Sequence, residues 1–142
     1  VNKRPIVIVD ADALIAQTNP DDIHHQQTTE ISKKLISLEA QVFYPVTAIL
    51  EATTHMQRVL NSSVNAFGAA QLMIEPSSQV IEVNKQTLEK ALIFFNTLSS
   101  KKNTLFDCII AAIAQEKHAD AIFSFDKFYL KSGFKLASYL QV

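Results

Sequence analysis

Short runs of unbroken apolar residues alternate along this chain with longer stretches in which apolar positions recur every three or four residues. The first run, Pro5-Ile6-Val7-Ile8-Val9, has no polar position and predicts a strand buried on both faces. A helix follows Asp10. Asp21 and Asp22 then precede an amphipathic helix reaching about Glu39, with Ile31, Leu35 and Leu38 on one face. Gln41 to Tyr44 predicts a second strand, and Pro45 suits the start of a helix running to about Leu60. Asn61-Ser62-Ser63 breaks that helix, and Ala66 to Ile74 carries another. Beyond the turn Pro76-Ser77-Ser78, the pattern predicts a strand over Val80 to Val83, a helix over Gln86 to Leu98 and a lysine-bearing loop from Ser99 to Asn103. Thr104 opens a helix containing Asp107, Ala121 to Phe125 forms a fourth strand, and Lys135 to Tyr139 a fifth at the edge. Alternation of this kind builds a mainly parallel sheet of four to five strands between two layers of helices, a three-layer α/β/α sandwich.

Composition agrees with one domain over residues 1–142. The apolar share, 48%, suits a sheet covered on both sides, and 2 Gly with 4 Pro argue against a loop-rich or repeat-built β architecture. No apolar run has the length of a membrane span, no leader-like segment opens the chain, and Val1 in place of Met suggests a trimmed or recoded start. The single cysteine, Cys108, excludes an internal disulfide, fits a reducing cytoplasm and sits in an apolar helix as a small buried hydrophobe. Net charge −1 is not the footprint of a strongly basic nucleic-acid binder. The charge is uneven, however: Lys101, Lys102, Lys117, Lys127, Lys131 and Lys135 crowd the last third. If a metal neutralises the nearby acids, that region becomes basic enough to hold a phosphate backbone.

The candidate chemistry lies in four acids set among apolar residues. Asp10 ends the first strand, where open α/β sheets bind ligands. Asp126 follows the fourth strand through Ser124-Phe125, in the same placement as Asp10. Glu51 lies among Ile49, Leu50 and Ala52 on a helix, and Asp107 in the first turn of another. Each has a purely structural explanation. Asp10 or Asp12 can cap the helix that follows, Glu51 can be exposed by periodicity alone, and Thr104 to Asp107 has capping-box spacing, which also suits an acid to the helix dipole. Buried carboxylates are costly unless something positive meets them, and clustered oxygen ligands suit Mg²⁺ or Mn²⁺, the metals of phosphodiester chemistry. Asp12 is a candidate to hold a metal-bound water or to cap, and Ser124 to orient the Asp126 carboxylate or such a water. Lys101, Lys102 and Lys127 are the candidate phosphate contacts. His24, His25, His55 and His118 lack zinc spacing and are expected on the surface.

The four acids also carry a resemblance. Ile6-Val7-Ile8-Val9-Asp10-Ala11-Asp12-Ala13-Leu14-Ile15-Ala16 resembles the opening motif of PIN domains, the fold of many VapC-type ribonuclease toxins. Pro45-Val46-Thr47-Ala48-Ile49-Leu50-Glu51 resembles the family's second acidic motif, Asp107 to Ala114 its third, and Ser124-Phe125-Asp126-Lys127-Phe128-Tyr129 its fourth. The resemblance covers essentially the whole chain. It implies a PIN-like α/β/α fold, Mg²⁺- or Mn²⁺-dependent cleavage of RNA, a homodimer and a small antitoxin partner. Asp12 departs from it, since the family commonly has Ser, Thr or Asn there.

On this reading Asp10, Asp107 and Asp126 hold the metal while Glu51 holds a second ion or helps deprotonate the attacking water. Two other readings compete. A haloacid-dehalogenase-like phosphatase would use Asp10-Ala11-Asp12 as its nucleophile motif, but Asp120 and Asp126 are too far apart for its usual acidic pair. A non-catalytic PIN-like module would grip RNA or a protein without turnover. The helices around Phe67 to Ile74 and Phe94 are the expected dimer faces, and Phe94-Phe95 with Leu92 and Leu98 is core or oligomer surface. Mutual repulsion among the acids further predicts that Asp126→Asn stabilises the metal-free protein.

Overall fold

The computed structural model of the protein describes residues 3–97 and 101–141. Its centre is a parallel sheet of four strands, β1 (Ile6–Val9), β2 (Gln41–Pro45), β3 (Gln79–Ile81) and β4 (Ala121–Phe123), in the order β3-β2-β1-β4. The apolar first run sits at the middle because both of its faces are covered. Val7 and Val9 point to one side, with Ala121 and Phe123 of β4; Ile8 and its register partner Ile122 point to the other. On the first side pack α1 (Ala11–Thr18), α2 (His25–Ser37), α3 (Val46–Arg58) and α4 (Ser63–Ala70). On the second side pack α5 (Lys85–Asn96), α6 (Leu105–Glu116) and the short α7 (Phe128–Lys131), with Ala48 of α3 reaching this core too. The fold is the expected α/β/α sandwich.

Helix α6 is buried all round, every residue from Cys108 to Ala114 lying in the interior. Cys108 is accordingly inert: burial, with Asp107 beside it, pushes its thiol up to about 11. With so few glycines, ordinary residues close two of the helices. Glu39 after α2 (φ 52°) and His118 after α6 (φ 51°) take the left-handed conformation. In each turn the next amide reaches back, Ala40 to the Leu35 carbonyl and Ala119 to that of Ala114, both at 2.9 Å. Each turn delivers the chain directly into the next strand.

Three expectations need correction. The predicted fifth strand is a single parallel bridge between Leu136 and Ile122, and Ala137–Tyr139 turns into a 3-10 helix. Strand β4 stops at Phe123, so Ser124 to Asp126 form a loop. The helix expected from Ala66 starts at Ser63, because Ser62 caps it by accepting from the Asn65 amide at 3.3 Å, and it passes into a 3-10 turn at Gln71–Met73. Leu98, Ser99 and Ser100, placed by the sequence at a helix end and loop start, lie outside the described residues. Among the described residues no helix is long and apolar enough to cross a membrane.

Candidate active site

At the carboxyl ends of β1 and β4 the sheet opens into a cleft of about 360 Å³. Its lining includes Asp10, Asp12, Glu51, Asp107 and Asp126, together with His24, His55, Phe125 and Lys102. Four elements and one loop supply the acids. Asp10 is the residue after β1 and caps α1, and Asp12 lies in the first turn of α1. Glu51 projects from α3, Asp107 from the first turn of α6, and Asp126 from the loop after β4. The acids and the capping roles coexist, since a helix start at the rim of a parallel sheet is also the mouth of its cleft.

Asp10 is 4% exposed. One carboxylate oxygen accepts from the Ala11 amide at 2.7 Å and the other from the Tyr129 hydroxyl at 2.6 Å. Burial pushes its pKa well up; the neighbouring Asp12 and, less, Asp107 push the same way, against the two hydrogen bonds. Asp107 caps α6 with one oxygen, taking the Thr104 amide at 2.9 Å, and receives the Asn103 side-chain amide at 3.3 Å. Asn103 also donates to Asp126 at 2.8 Å, so one amide spans two acids. The other Asp126 oxygen accepts from the Phe128 amide at 2.9 Å. Glu51 is half-buried, and burial, then Asp107, then Asp12 raise it to about 7.

Asp12 resolves into a specific role. One oxygen accepts from both the Ser124 hydroxyl, at 3.0 Å, and the Phe125 amide, at 2.8 Å. It thereby ties α1 to the loop that presents Asp126. Burial raises its pKa, those hydrogen bonds oppose the rise, and Asp126 adds to it. Ser124 acts on the Asp126 backbone amide, at 3.1 Å, rather than on its carboxylate. Asp126 is therefore not the counterpart of Asp10 in register; the residue one step beyond β4 is Ser124, and the loop carries the acid two positions further.

Of the candidate phosphate contacts, Lys102 lines the cleft, while Lys101 and Lys127 are exposed outside its lining. His118 is exposed as expected, whereas His24, His25 and His55 are only half-exposed. His24 stacks on Phe125 at 4.1 Å, His25 donates to the Ala16 carbonyl at 2.6 Å, and His24 and His55 both face the cleft. Sequence reasoning missed Tyr129 and Asn103 as well. Tyr129 reaches acids 119 and 22 residues away in the chain, so no local spacing marks it, and nothing local marks Asn103.

The donor set suits a hard divalent cation. It is built of carboxylate oxygens, it carries excess negative charge, and burial makes that charge costly. Among the described residues no three acidic, histidine or cysteine side chains already form a closed ion cage. Mg²⁺ does not require one, because it keeps several waters and uses few protein ligands. Asp120, which the phosphatase reading would pair with Asp126, lies at the opposite end of β4. There it accepts from the Ile6 amide at 2.7 Å.

A sequence model of the PIN domain matches residues 7–133, and the chain belongs to that family. No curated protein matches it. Among solved structures it resembles VapC20 of Mycobacterium tuberculosis, described as a sarcin–ricin-loop-cleaving toxin, with a TM-score of 0.79. The two are 18% identical, over 90% of this chain and 95% of that one, so the likeness is one of fold.

Proposed function

We propose that this PIN domain is an endoribonuclease dependent on Mg²⁺ or Mn²⁺, and the toxin of a cytoplasmic toxin–antitoxin pair. The observation that carries this reading is the convergence of Asp10, Asp12, Glu51, Asp107 and Asp126 on one open cleft at the carboxyl edge of the sheet. Asp10, Asp107 and Asp126 would hold the ion, with Glu51 beside them. A bound divalent cation supplies positive charge for the phosphorane-like transition state and acidifies water. Glu51, raised by burial and by Asp107 and Asp12 and held by no hydrogen bond among the described residues, is suited to take a proton from water as the water oxygen attacks phosphorus in line with the departing ribose oxygen. Lys102, and Lys101 and Lys127 further out, would hold neighbouring phosphates. The toxin assignment draws on the VapC20 likeness.

The experiment is cleavage of single-stranded RNA with Mg²⁺, with Mn²⁺ and with EDTA; undiminished cleavage in EDTA overturns the metal assignment. A homodimer is part of the same proposal. Val64, Phe67 and Ile74 around α4, and Leu92, Ile93 and Phe95 on α5, are exposed, whereas Phe94 is half-buried against Phe134. Light scattering reads the mass directly, and a monomer near millimolar concentration removes the dimer.

A further inference from the structure

Tyr129 is fully buried, and its ring fills the core between the sheet and α6. Its hydroxyl, however, ends at the acids. It donates to Asp10 at 2.6 Å, and an oxygen of Asp107 stands 3.4 Å from it. The hydroxyl thus donates to one carboxylate and stands within reach of a second, the two brought from different elements, the end of β1 and the first turn of α6. The remaining contacts of these acids come from their own local backbone and from Asn103: Ala11 for Asp10, Thr104 for Asp107. Tyr129 is therefore the tie between them. A lysine or arginine at this point would neutralise the acids permanently and compete with any incoming cation. A phenol satisfies the buried oxygen and leaves the negative charge in place.

We propose that Tyr129 is the positioning residue of the ion site, its hydroxyl fixing the orientation of Asp10 and its spacing from Asp107 so that both present free lone pairs to a divalent cation. This rests on the proposed metal-dependent function. Outer partners of this kind hold a ligand in its coordinating geometry, and their loss typically weakens metal binding 10–100-fold. The Phe side chain would keep the core volume and remove only the donor.

The chain offers its own reporter, because it has 3 Tyr and no Trp, so phenols dominate its near-ultraviolet absorbance. Tyr44 lies away from the acidic cleft and Tyr139 is exposed. The test titrates Mn²⁺ and Mg²⁺ into wild type, Tyr129→Phe and Tyr44→Phe, reading binding heat and tyrosine difference absorbance together. A tyrosine band should grow with ion occupancy in wild type and Tyr44→Phe and be lost in Tyr129→Phe. Tyr129→Phe should bind the ion roughly tenfold more weakly, and its RNA cleavage should recover at high Mn²⁺, a rescue that a packing defect would not show. Equal affinity in wild type and Tyr129→Phe overturns this inference and leaves the metal-dependent reading standing. Wild type that binds neither ion overturns both. Should Tyr129→Phe fail to melt cooperatively, the wild-type band decides: saturation with no tyrosine signal overturns the proposal.

Discussion

Asp10 is buried, with each carboxylate oxygen already engaged, by the Ala11 amide at 2.7 Å and by Tyr129 at 2.6 Å. Glu51 faces the same cleft from α3, half-buried, and no hydrogen bond or ion pair holds its carboxylate among the described residues. Burial is the first cause of the raised pKa in both. The difference lies in what opposes it. Hydrogen bonds hold Asp10 in one orientation and partly compensate its charge, so it is suited to be a fixed ligand. For Glu51 the charges of Asp107 and Asp12 add to the rise, and no hydrogen bond among the described residues opposes it. A group that must bind, release and move a proton cannot be tied down in the same way. The cleft thus combines a wall of hydrogen-bonded ligands with one carboxylate that no hydrogen bond ties down among the described residues.

The largest expected effect tests the hydrogen-bonded wall. Asp10→Asn keeps the shape but loses a charge, and cleavage should fall on the order of a hundredfold or more, as for removal of a preorganised electrostatic contact. The far-ultraviolet circular dichroism should stay unchanged. Glu51→Gln should also slow cleavage, and additionally flatten the acidic limb of the pH–rate profile, which Asp10→Asn should not do. If the two variants share one pH profile, Glu51 is another ligand and the contrast between the walls fails.

The hydrogen-bonded wall was also the legible one. Asp10 is placed by a strand of unbroken apolar residues, whose end fixes where the next side chain goes. Asp107 is placed by its capping-box spacing, which the structure contains. Glu51 was visible only as an acid among apolar neighbours on a helix, because its position depends on how α3 packs over the edge of the sheet. The edge of the fold was harder still. Lys135 to Tyr139 has strand-like composition, yet one bridge to Ile122 is all the pairing it makes, since the chain turns at Ala137. Tyr129 and Asn103 are functional candidates only through contacts with acids distant in sequence or across a loop. Such contacts leave no periodicity to detect.

A smaller effect concerns stability without metal. Glu51 rises from its ordinary 4.5 to about 7 on folding. Below the unfolded value both states hold the proton and folding carries no penalty. Between about 4.5 and 7 the unfolded chain releases its proton first, so stability falls with rising pH, and above about 7 the full penalty remains. In EDTA, the wild-type melting temperature should therefore decline between pH 5 and 8. Glu51→Gln should raise it at pH 8 and shallow the slope without abolishing it, because Asp10 and Asp12 are raised as well. Asp126→Asn should not stabilise, contrary to the expectation from repulsion alone. The Asp126 carboxylate accepts from Phe128 and Asn103, and an amide there would set one NH₂ against another, costing about 1 kcal/mol. Calorimetric melts of the three proteins separate these outcomes, and a gain for Asp126→Asn with none for Glu51→Gln would reverse which acid is unsupported.

The smallest effect concerns the cations beyond both walls. Lys102 lines the cleft, while Lys101 and Lys127 are exposed outside it. A lysine that neutralises one phosphate of a single strand contributes about 0.7 to the slope of log affinity against log salt. In the Asp10→Asn background, where cleavage should be slow enough to read binding, Lys102→Ala should lower that slope by about this amount and weaken binding a few-fold. Lys127→Ala should change it by less than about twofold, as expected of a charge screened by intervening solvent. Fluorescence anisotropy with a labelled single-stranded RNA at several salt concentrations measures both. A larger loss for Lys127→Ala than for Lys102→Ala would mean that the strand enters past α7 and reaches the acids from the Asp126 side. The path of the RNA over the molecule would then be set by the loop after β4 rather than by the segment leading into α6.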